Sequence, residues 1–324
     1  MITIRRRGVL ATGATLLVPG VAGAQGAWPS KPIRWVVPYT AGGFTDVSTR
    51  LTLEKITLGQ PFVVDNKPGA NSLIGAEAVA KAAPDGYTFL TVIAAHAANK
   101  TLYAGKLAFD PESSFAAVSL VGIAPLILTV TNSLPVRNVG ELIAYAKANP
   151  GKISFGSSGV GAAAHLTSEL IKQVAGIQME HVPYKGTAPA LADLVSGNIQ
   201  MLIDAPIGVM AHVRSGKIRA LAMLSKERVP GADEVPTIVE AGGPPIESSS
   251  WSMFLAPAGT PKDIVERLSA EVAKAMKNED LRKRFAELAV IPGGYTPAES
   301  ARFMADEVEK WRKVIVAANV KVDA

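Results

Sequence analysis

Two stretches of the chain end a short apolar run in a loop rich in glycine and hydroxyl residues, then enter an amphipathic segment at once. The first is Ile33-Arg34-Trp35-Val36-Val37-Pro38-Tyr39 followed by Thr40-Ala41-Gly42-Gly43-Phe44-Thr45-Asp46. The second is Lys152-Ile153-Ser154-Phe155 followed by Gly156-Ser157-Ser158-Gly159-Val160-Gly161. A strand-to-helix turn of this kind leaves backbone N–H groups unpaired at the positive end of a helix dipole, which makes an anion site without any cationic side chain. Gly42 and Gly43 permit close backbone approach, Thr45 or Asp46 can cap the helix that begins there, and Ser157 and Ser158 add hydroxyl donors. Turn chemistry alone accounts for either loop taken singly. Two such loops at equivalent places suggest one cleft that grips an anion from both sides.

Two further junctions sit in the second half. Val182-Pro183-Tyr184-Lys185-Gly186-Thr187-Ala188-Pro189 ends a strand and starts a helix, so Thr187 and the N–H of Ala188 can face a cleft, while Lys185 reads as a solvated side chain. Asp204 closes the run Met201-Leu202-Ile203-Asp204 at the carboxyl end of a strand, the edge where ligands bind in open α/β sheets. It can accept a hydrogen bond from a ligand amine or hydroxyl, or from water, or cap the next helix.

Catalytic patterns fit poorly. Gly159-Val160-Gly161-Ala162-Ala163-Ala164 matches the dinucleotide fingerprint, but Glu180 precedes the next apolar run instead of closing it. The serine-hydrolase elbow fails at both serines, with Phe155 before Ser157 and Val160 after Ser158 where glycine is required. His96, His165, His181 and His212 show no ligand spacing with one another or with carboxylates, so no metal site and no cofactor are expected, and His165 reads as a packing or supporting residue.

These loops need a scaffold, and the patterning supplies one. Strands are expected over 33–39, 62–65 and 88–93, with helices over 45–58 and 72–82. The apolar run 118–131, broken by Gly122 and Pro125, reads as a strand leaving one domain and entering another. A second α/β series follows: a helix over 138–148 with an Asn138/Glu141 capping box, strands over 153–155, 179–183, 201–204 and 218–223, and helices over 162–174 and 189–195. Residues 251–255 form the return strand, and two closing helices are announced by Thr260-Pro261 and Thr296-Pro297. In the last, Met304, Val308, Trp311 and Ile315 make one core-facing stripe. The expected fold is α/β with two lobes, each a mostly parallel sheet flanked by helices: 28–124 plus 250–324, and 125–249, joined by two crossing segments that form a hinge.

Composition narrows the class. The chain has 324 residues, 48% apolar and 19% charged, which fits a folded globular protein. Arg5, Arg6 and Arg7, a mildly apolar stretch over 8–21 and Ala22-Gly23-Ala24 predict a secretory signal over 1–24 with cleavage before Gln25; Arg6-Arg7 also suits a twin-arginine route. Its loss takes the formal charge from +5 to about +2, which removes the main support for a nucleic-acid partner. With no cysteine there is no disulfide, thiolate nucleophile or lipid-bearing cysteine. A soluble periplasmic protein is the expected outcome.

From Trp28 onward the chain resembles the substrate-binding proteins of tripartite tricarboxylate transporters, the Bug family. The segments that carry the resemblance include Val37-Pro38-Tyr39 with Gly42-Gly43 and Thr45-Asp46, Asp65-Asn66-Lys67-Pro68-Gly69-Ala70, Pro84-Asp85-Gly86-Tyr87-Thr88, Gly156-Ser157-Ser158-Gly159-Val160-Gly161 with His165-Leu166, Val182-Pro183-Tyr184-Lys185-Gly186 and Ala256-Pro257-Ala258-Gly259-Thr260-Pro261. The resemblance implies a type II periplasmic binding protein that closes on a small mono- or dicarboxylate, held by main-chain N–H groups and waters, and delivers it to membrane transporter subunits. By position it implies ligand contacts from Tyr39, Ala41, Gly42, Gly43, Phe44, Thr45 and Asp46 in one lobe and Ser157, Ser158, Gly161, Thr187, Ala188 and Asp204 in the other. The chain departs from many relatives at Tyr39-Thr40-Ala41 and at Ala162, which bears on ligand identity. A non-enzymatic monomer is expected. The alternative of another class is a secreted hydrolase using Ser157 or Ser158, and a domain that binds a partner protein as a signalling input is compatible with the binding reading.

Overall fold

The computed structural model describes residues 28–184 and 186–322; the expected export segment and Lys185 lie outside the described residues. In chain order, β1 (Ile33–Val37) leads into α1 (Phe44–Glu54), β2 (Phe62–Asn66) into α2 (Leu73–Ala80) and β3 (Thr88–Val92) into α3 (Ala94–Leu102). Then β4 (Phe115–Pro125) runs almost directly into β5 (Ile127–Thr131), followed by α4 (Val139–Ala148). Three more strand–helix units follow: β6 (Ser154–Ser157) with α5 (Ala163–Ala175), β7 (Glu180–Pro183) with α6 (Thr187–Ser196), and β8 (Met201–Asp204) with α7 (Pro206–Arg214). The chain continues through β9 (Ile218–Met223), β10 (Ser249–Pro257), α8 (Lys262–Ala275), α9 (Glu279–Glu287), β11 (Ile291–Pro292) and α10 (Pro297–Ala317).

These elements build two sheets. The six-stranded sheet has the order β11-β4-β10-β3-β1-β2, and the five-stranded sheet β7-β6-β8-β5-β9. β1 pairs parallel with β2 and β3, and β6 parallel with β7 and β8, as repeated strand–helix units require. The crossing strands depart from the expectation of mostly parallel sheets: β10 is antiparallel to β3 and β4, and β5 to β8 and β9. A strand that arrives from the neighbouring sheet without a helical crossover behind it runs against the strands it joins.

The first sheet is packed around Trp35, which is fully buried, stacks on Phe89 at 5.1 Å and meets Phe254 edge-on at 4.4 Å. Its indole N–H has found a polar partner in Thr91 Oγ1 at 2.8 Å, as a buried tryptophan requires. Trp311 of α10 is likewise fully buried and donates to Glu307 Oε2, which also accepts from Trp251 Nε1 of β10. The closing helix is thereby bonded to the return strand.

The two crossing segments meet at one point. Leu126, between β4 and β5, donates to the Ser248 carbonyl at 2.9 Å and accepts from the Leu224 N–H at 2.8 Å, while Ser248 N–H donates to the Leu224 carbonyl at 3.0 Å. Ser248 Oγ is also 2.6 Å from Thr167 Oγ1, which ties this junction to α5.

Several local expectations are corrected. Three helices were not anticipated, α3, α7 and α9, so three helices rather than two follow the return strand. At the start of α4 Asn138 caps the Glu141 N–H at 2.8 Å, but the Glu141 carboxylate takes the Arg137 N–H instead of completing the box. Before α8, Pro261 is itself the N-cap and Thr260 turns its hydroxyl back to the Pro257 carbonyl. Among the described residues the full box forms at Thr296 and Glu299 of α10.

Candidate functional site

The helices differ in how they begin; α8, after the antiparallel β10, starts at Pro261 without a side-chain cap. α4, α9 and α10 are capped by Asn138, Asn278 and Thr296. The helices that follow the carboxyl ends of strands, α1, α2, α3, α5, α6 and α7, start at Gly43, Ser72, Ile93, Ala162, Gly186 and Ala205, and none has a side-chain cap. Six of the seven starts without a side-chain cap thus lie at the carboxyl edges of the two sheets, where first-turn N–H groups have no capping side chain.

The first loop is braced from below. Trp35 N–H donates to Thr91, Thr91 is 2.8 Å from Thr49 Oγ1, and Thr49 donates to the Thr45 carbonyl at 2.6 Å. This relay fixes the first turn of α1. Asp46 was expected at the ligand or as a cap, and it does not cap α1: it is buried, takes the Gly42 N–H on Oδ2 at 3.0 Å, and receives Arg50 Nε at 2.9 Å and Asn66 Nδ2 at 3.0 Å on Oδ1. Burial alone would raise its pKa, but these three hydrogen bonds and the Arg50 charge outweigh it and hold the carboxyl below its usual range. Gly42 N–H is therefore spoken for. Gly43 keeps an extended φ of −81°, and with Ala41 and Gly42 it is exposed; Phe44 is half-buried and Thr45 buried. Tyr39, whose carbonyl accepts from Asn66 Nδ2, has a buried phenol oxygen beside the Ser72 hydroxyl, and burial pushes its pKa well up against the lowering effect of that hydroxyl, so it is a neutral hydroxyl.

The second loop spends more of its donors internally. Ser157, expected to offer a hydroxyl, is fully buried; its Oγ donates to the Gly159 carbonyl at 3.0 Å, accepts from Gly159 N–H at 3.2 Å and lies 2.7 Å from His181 Nε2. The arrangement that satisfies all three partners has the His181 ring donating to Ser157. Gly161 N–H donates to His165 Nδ1 at 3.1 Å, and the His165 and His181 rings stack at 3.8 Å. Burial lowers both pKa values, to about 3 for His165, where the His181 and Lys172 charges add, and to about 4 for His181, where Lys172 adds. This histidine pair was invisible in the spacing; it forms where His165 of α5 packs on His181 of β7, which pairs with Phe155 of β6. Ser158 is exposed, as is Ala188.

Thr187 donates to Asp204 Oδ2 at 2.6 Å, and Asp204 Oδ1 takes the Ala205 N–H at 2.7 Å, so the α6 and α7 starts are bonded to one carboxylate. Desolvation raises the Asp204 pKa against the lowering pull of those bonds. The two carboxyl edges face each other at Gly161, where an added Cβ would collide with Leu102 of α3 and lie 3.6 Å from Asn71 Nδ2. Among the described residues no group of three His, Asp or Glu is arranged to hold a metal.

Two α/β sheets joined by paired crossing strands, with uncapped helix starts on the carboxyl edges, define the architecture of a two-lobed solute-binding protein. The chain belongs to the tripartite tricarboxylate transporter family of receptors, whose profile matches residues 49–320. Protein BugT of Bordetella pertussis is 35% identical over 315 residues, 96% of this chain and 97% of its own. Among solved structures, R. palustris Rpa4515 with adipate is 37% identical with a TM-score of 0.84, covering 91% of this chain and 99% of that one. MatC from Rhodopseudomonas palustris with bound malate is 31% identical with a TM-score of 0.80, covering 89% and 100%. The protein is thus a periplasmic solute-binding protein of the Bug type.

Proposed function

We propose that this protein captures a small mono- or dicarboxylate between its lobes and delivers it, without chemical change, to the membrane subunits of a tripartite transporter. The observation that carries the reading is the first turn of α1: a braced loop whose N-cap is Gly43, whose N–H groups have no side-chain cap, and which needs no cationic side chain to attract an anion. Two related structures, one with adipate and one with malate, support a carboxylate as the ligand class. The lobes, 28–124 with 250–324 and 125–249, rotate about the junction of Leu126, Leu224 and Ser248, and closure brings the α5, α6 and α7 starts to the anion held at α1. Residues 1–24 direct export to the periplasm, and the mature chain acts as a monomer.

Ligand contacts come from the backbone of Ala41, Gly43, Phe44 and Thr45 in the first lobe and from Ser158, Gly161, Thr187, Ala188 and Asp204 in the second, while Gly42, Asp46 and Ser157 hold the loops in shape. One observation favours a hydrolase, the Ser157–His181 hydrogen bond. The buried position of Ser157 and a proton directed at the Gly159 carbonyl argue against it. A thermal-shift panel of mono-, di- and tricarboxylates tests the proposal: a ligand at a hundred times its Kd adds about 2.7 kcal/mol to the native state. Absence of any shift across the panel, or labelling of Ser157 by a fluorophosphonate, would overturn it.

A further inference from the structure

Both sheets place their cleft strands on one side of the crossing strands and one strand on the other. In the first lobe β3, β1 and β2 lie beyond β10, and β11 lies beyond β4; in the second, β8, β6 and β7 lie on one side of β5 and β9 on the other. The loops assigned to the ligand follow β1, β6, β7 and β8. β11 and β9 therefore sit behind the junction of Leu126, Leu224 and Ser248, where the chain crosses between lobes. Both reach that junction, since Ile291 of β11 pairs with Ile123 near the end of β4, and Met223 of β9 pairs with Ile127 at the start of β5.

The lobes touch at this rear position. Ala289, in the turn before β11, is buried in an apolar cluster otherwise built from the second lobe, with Val229, Ala232 and Val235 of the segment that follows β9. Gly231 of that segment lies so near the turn that a Cβ on it would overlap the Ala286 carbonyl, a backbone group that cannot swing aside. The Gly231 segment is held in place as well: Arg214 donates to the Gly231 carbonyl and to Glu234, and Asp233 accepts the Gly231 N–H at 3.1 Å.

When two bodies turn about a pivot, a movement that shuts the gap on one side widens it on the other. Closure of the cleft draws Ala289 out of the second lobe's cluster and parts Gly231 from Ala286. Resting on the binding reading above for its ligand, we propose that this rear contact is made in the open state and broken on closure, so that it sets the open–closed balance and holds ligand affinity below what the cleft alone would give. Its apolar burial is a stabilisation that only the open state receives, and a ligand that binds the closed state must overcome it. A change that wedges or weakens the rear contact should tighten binding without touching the cleft.

The test compares the wild type with Gly231→Ala and Ala289→Gly, using calorimetric Kd for adipate and malate and small-angle scattering with and without ligand. Gly231→Ala adds the overlap with Ala286; its φ of +83° strains an alanine in both states alike and so leaves the balance between them alone. Ala289→Gly removes a methyl group from the cluster at a φ of +52°, which glycine adopts without strain, so this variant keeps its fold. The expected Kd is roughly tenfold tighter for Gly231→Ala, about 1.4 kcal/mol, and about fourfold tighter for Ala289→Gly, the worth of one buried methyl. Ligand-free Gly231→Ala should be more compact than the wild type in scattering while its unfolding midpoint falls; affinity gained as stability is lost is not what a merely structural contact gives. A Kd unchanged or weaker in either folded variant would overturn the rear contact and leave the carboxylate reading standing. If the wild type bound neither acid, the carboxylate reading would fall, and the ligand-free scattering would still decide the rear contact: an unchanged radius of gyration in Gly231→Ala would overturn it.

Discussion

Asp46→Asn is the sharpest perturbation of the first loop, because it changes charge and hydrogen-bond polarity with almost no change in shape. The native carboxylate accepts three hydrogen bonds on two oxygens, from Gly42 N–H on one and from Arg50 and Asn66 on the other. An asparagine has one acceptor oxygen. Whichever way its amide is turned, an NH2 group faces a donor. Leaving a buried donor unsatisfied costs roughly 1–3 kcal/mol, and the Arg50 contribution is discounted because that side chain is half-exposed. A loss of about 2 kcal/mol is expected in urea unfolding at pH 7.

The same substitution has a pH signature. The Asp46 pKa is lowered in the folded state from 3.8, so its stabilisation is present above that value and lost as the pH falls through the folded value. The gap between wild type and Asp46→Asn should therefore be constant from pH 7 to 5 and close below about pH 4. Carboxylate affinity should fall about tenfold with it, as Gly42 is no longer pinned and the loop loses preorganisation. A variant within ~0.5 kcal/mol of wild type at pH 7, within the range of ordinary surface changes, would refute the bracing role.

Other outcomes follow from the same geometry. Gly43→Val should fold normally, since φ is −81° and the nearest atom to the new Cβ is the Thr40 carbonyl oxygen at 3.9 Å, yet it should abolish ligand-induced stabilisation by covering the α1 start, as a thermal-shift assay reads. Gly42→Ala should instead cost about 1 kcal/mol of stability, because φ is +86° there, and urea unfolding checks it. Both stacked histidines have folded pKa values below 6.5, at about 3 and about 4, so the unfolded chain binds protons first and stability should decline as the pH drops from 6.5 toward 4. His181→Gln, which removes one titrating ring, should flatten that decline; an unchanged slope would mean the pair does not titrate with folding.

The sequence was most legible where strands end. β8 and β9 lie where the apolar runs place them, and the break in the run 118–131 falls at Leu126 between β4 and β5. Helices α3 and α7 were missed because each starts within two residues of a strand with no polar cap to announce it. The loops were found by their glycines, but which side chains the protein uses on itself was not readable. Asp46 turns inward because Asn66 reaches it from the end of β2 while Arg50 joins it from the next turn of α1, and Ser157 is consumed because His181, opposite Phe155 in the β6/β7 ladder, reaches it across the pair. The Asn66 and His181 contacts are long-range and leave no mark in local spacing.

Under the proposed function, backbone N–H groups at the start of α1 hold the ligand carboxylate. Amide chemical shifts followed by NMR during titration with adipate or malate test it most directly. Large shifts at Gly43, Phe44 and Thr45 that saturate with the binding curve and disappear in Gly43→Val are the expected result. Binding that saturates while these amides stay unmoved would contradict the account.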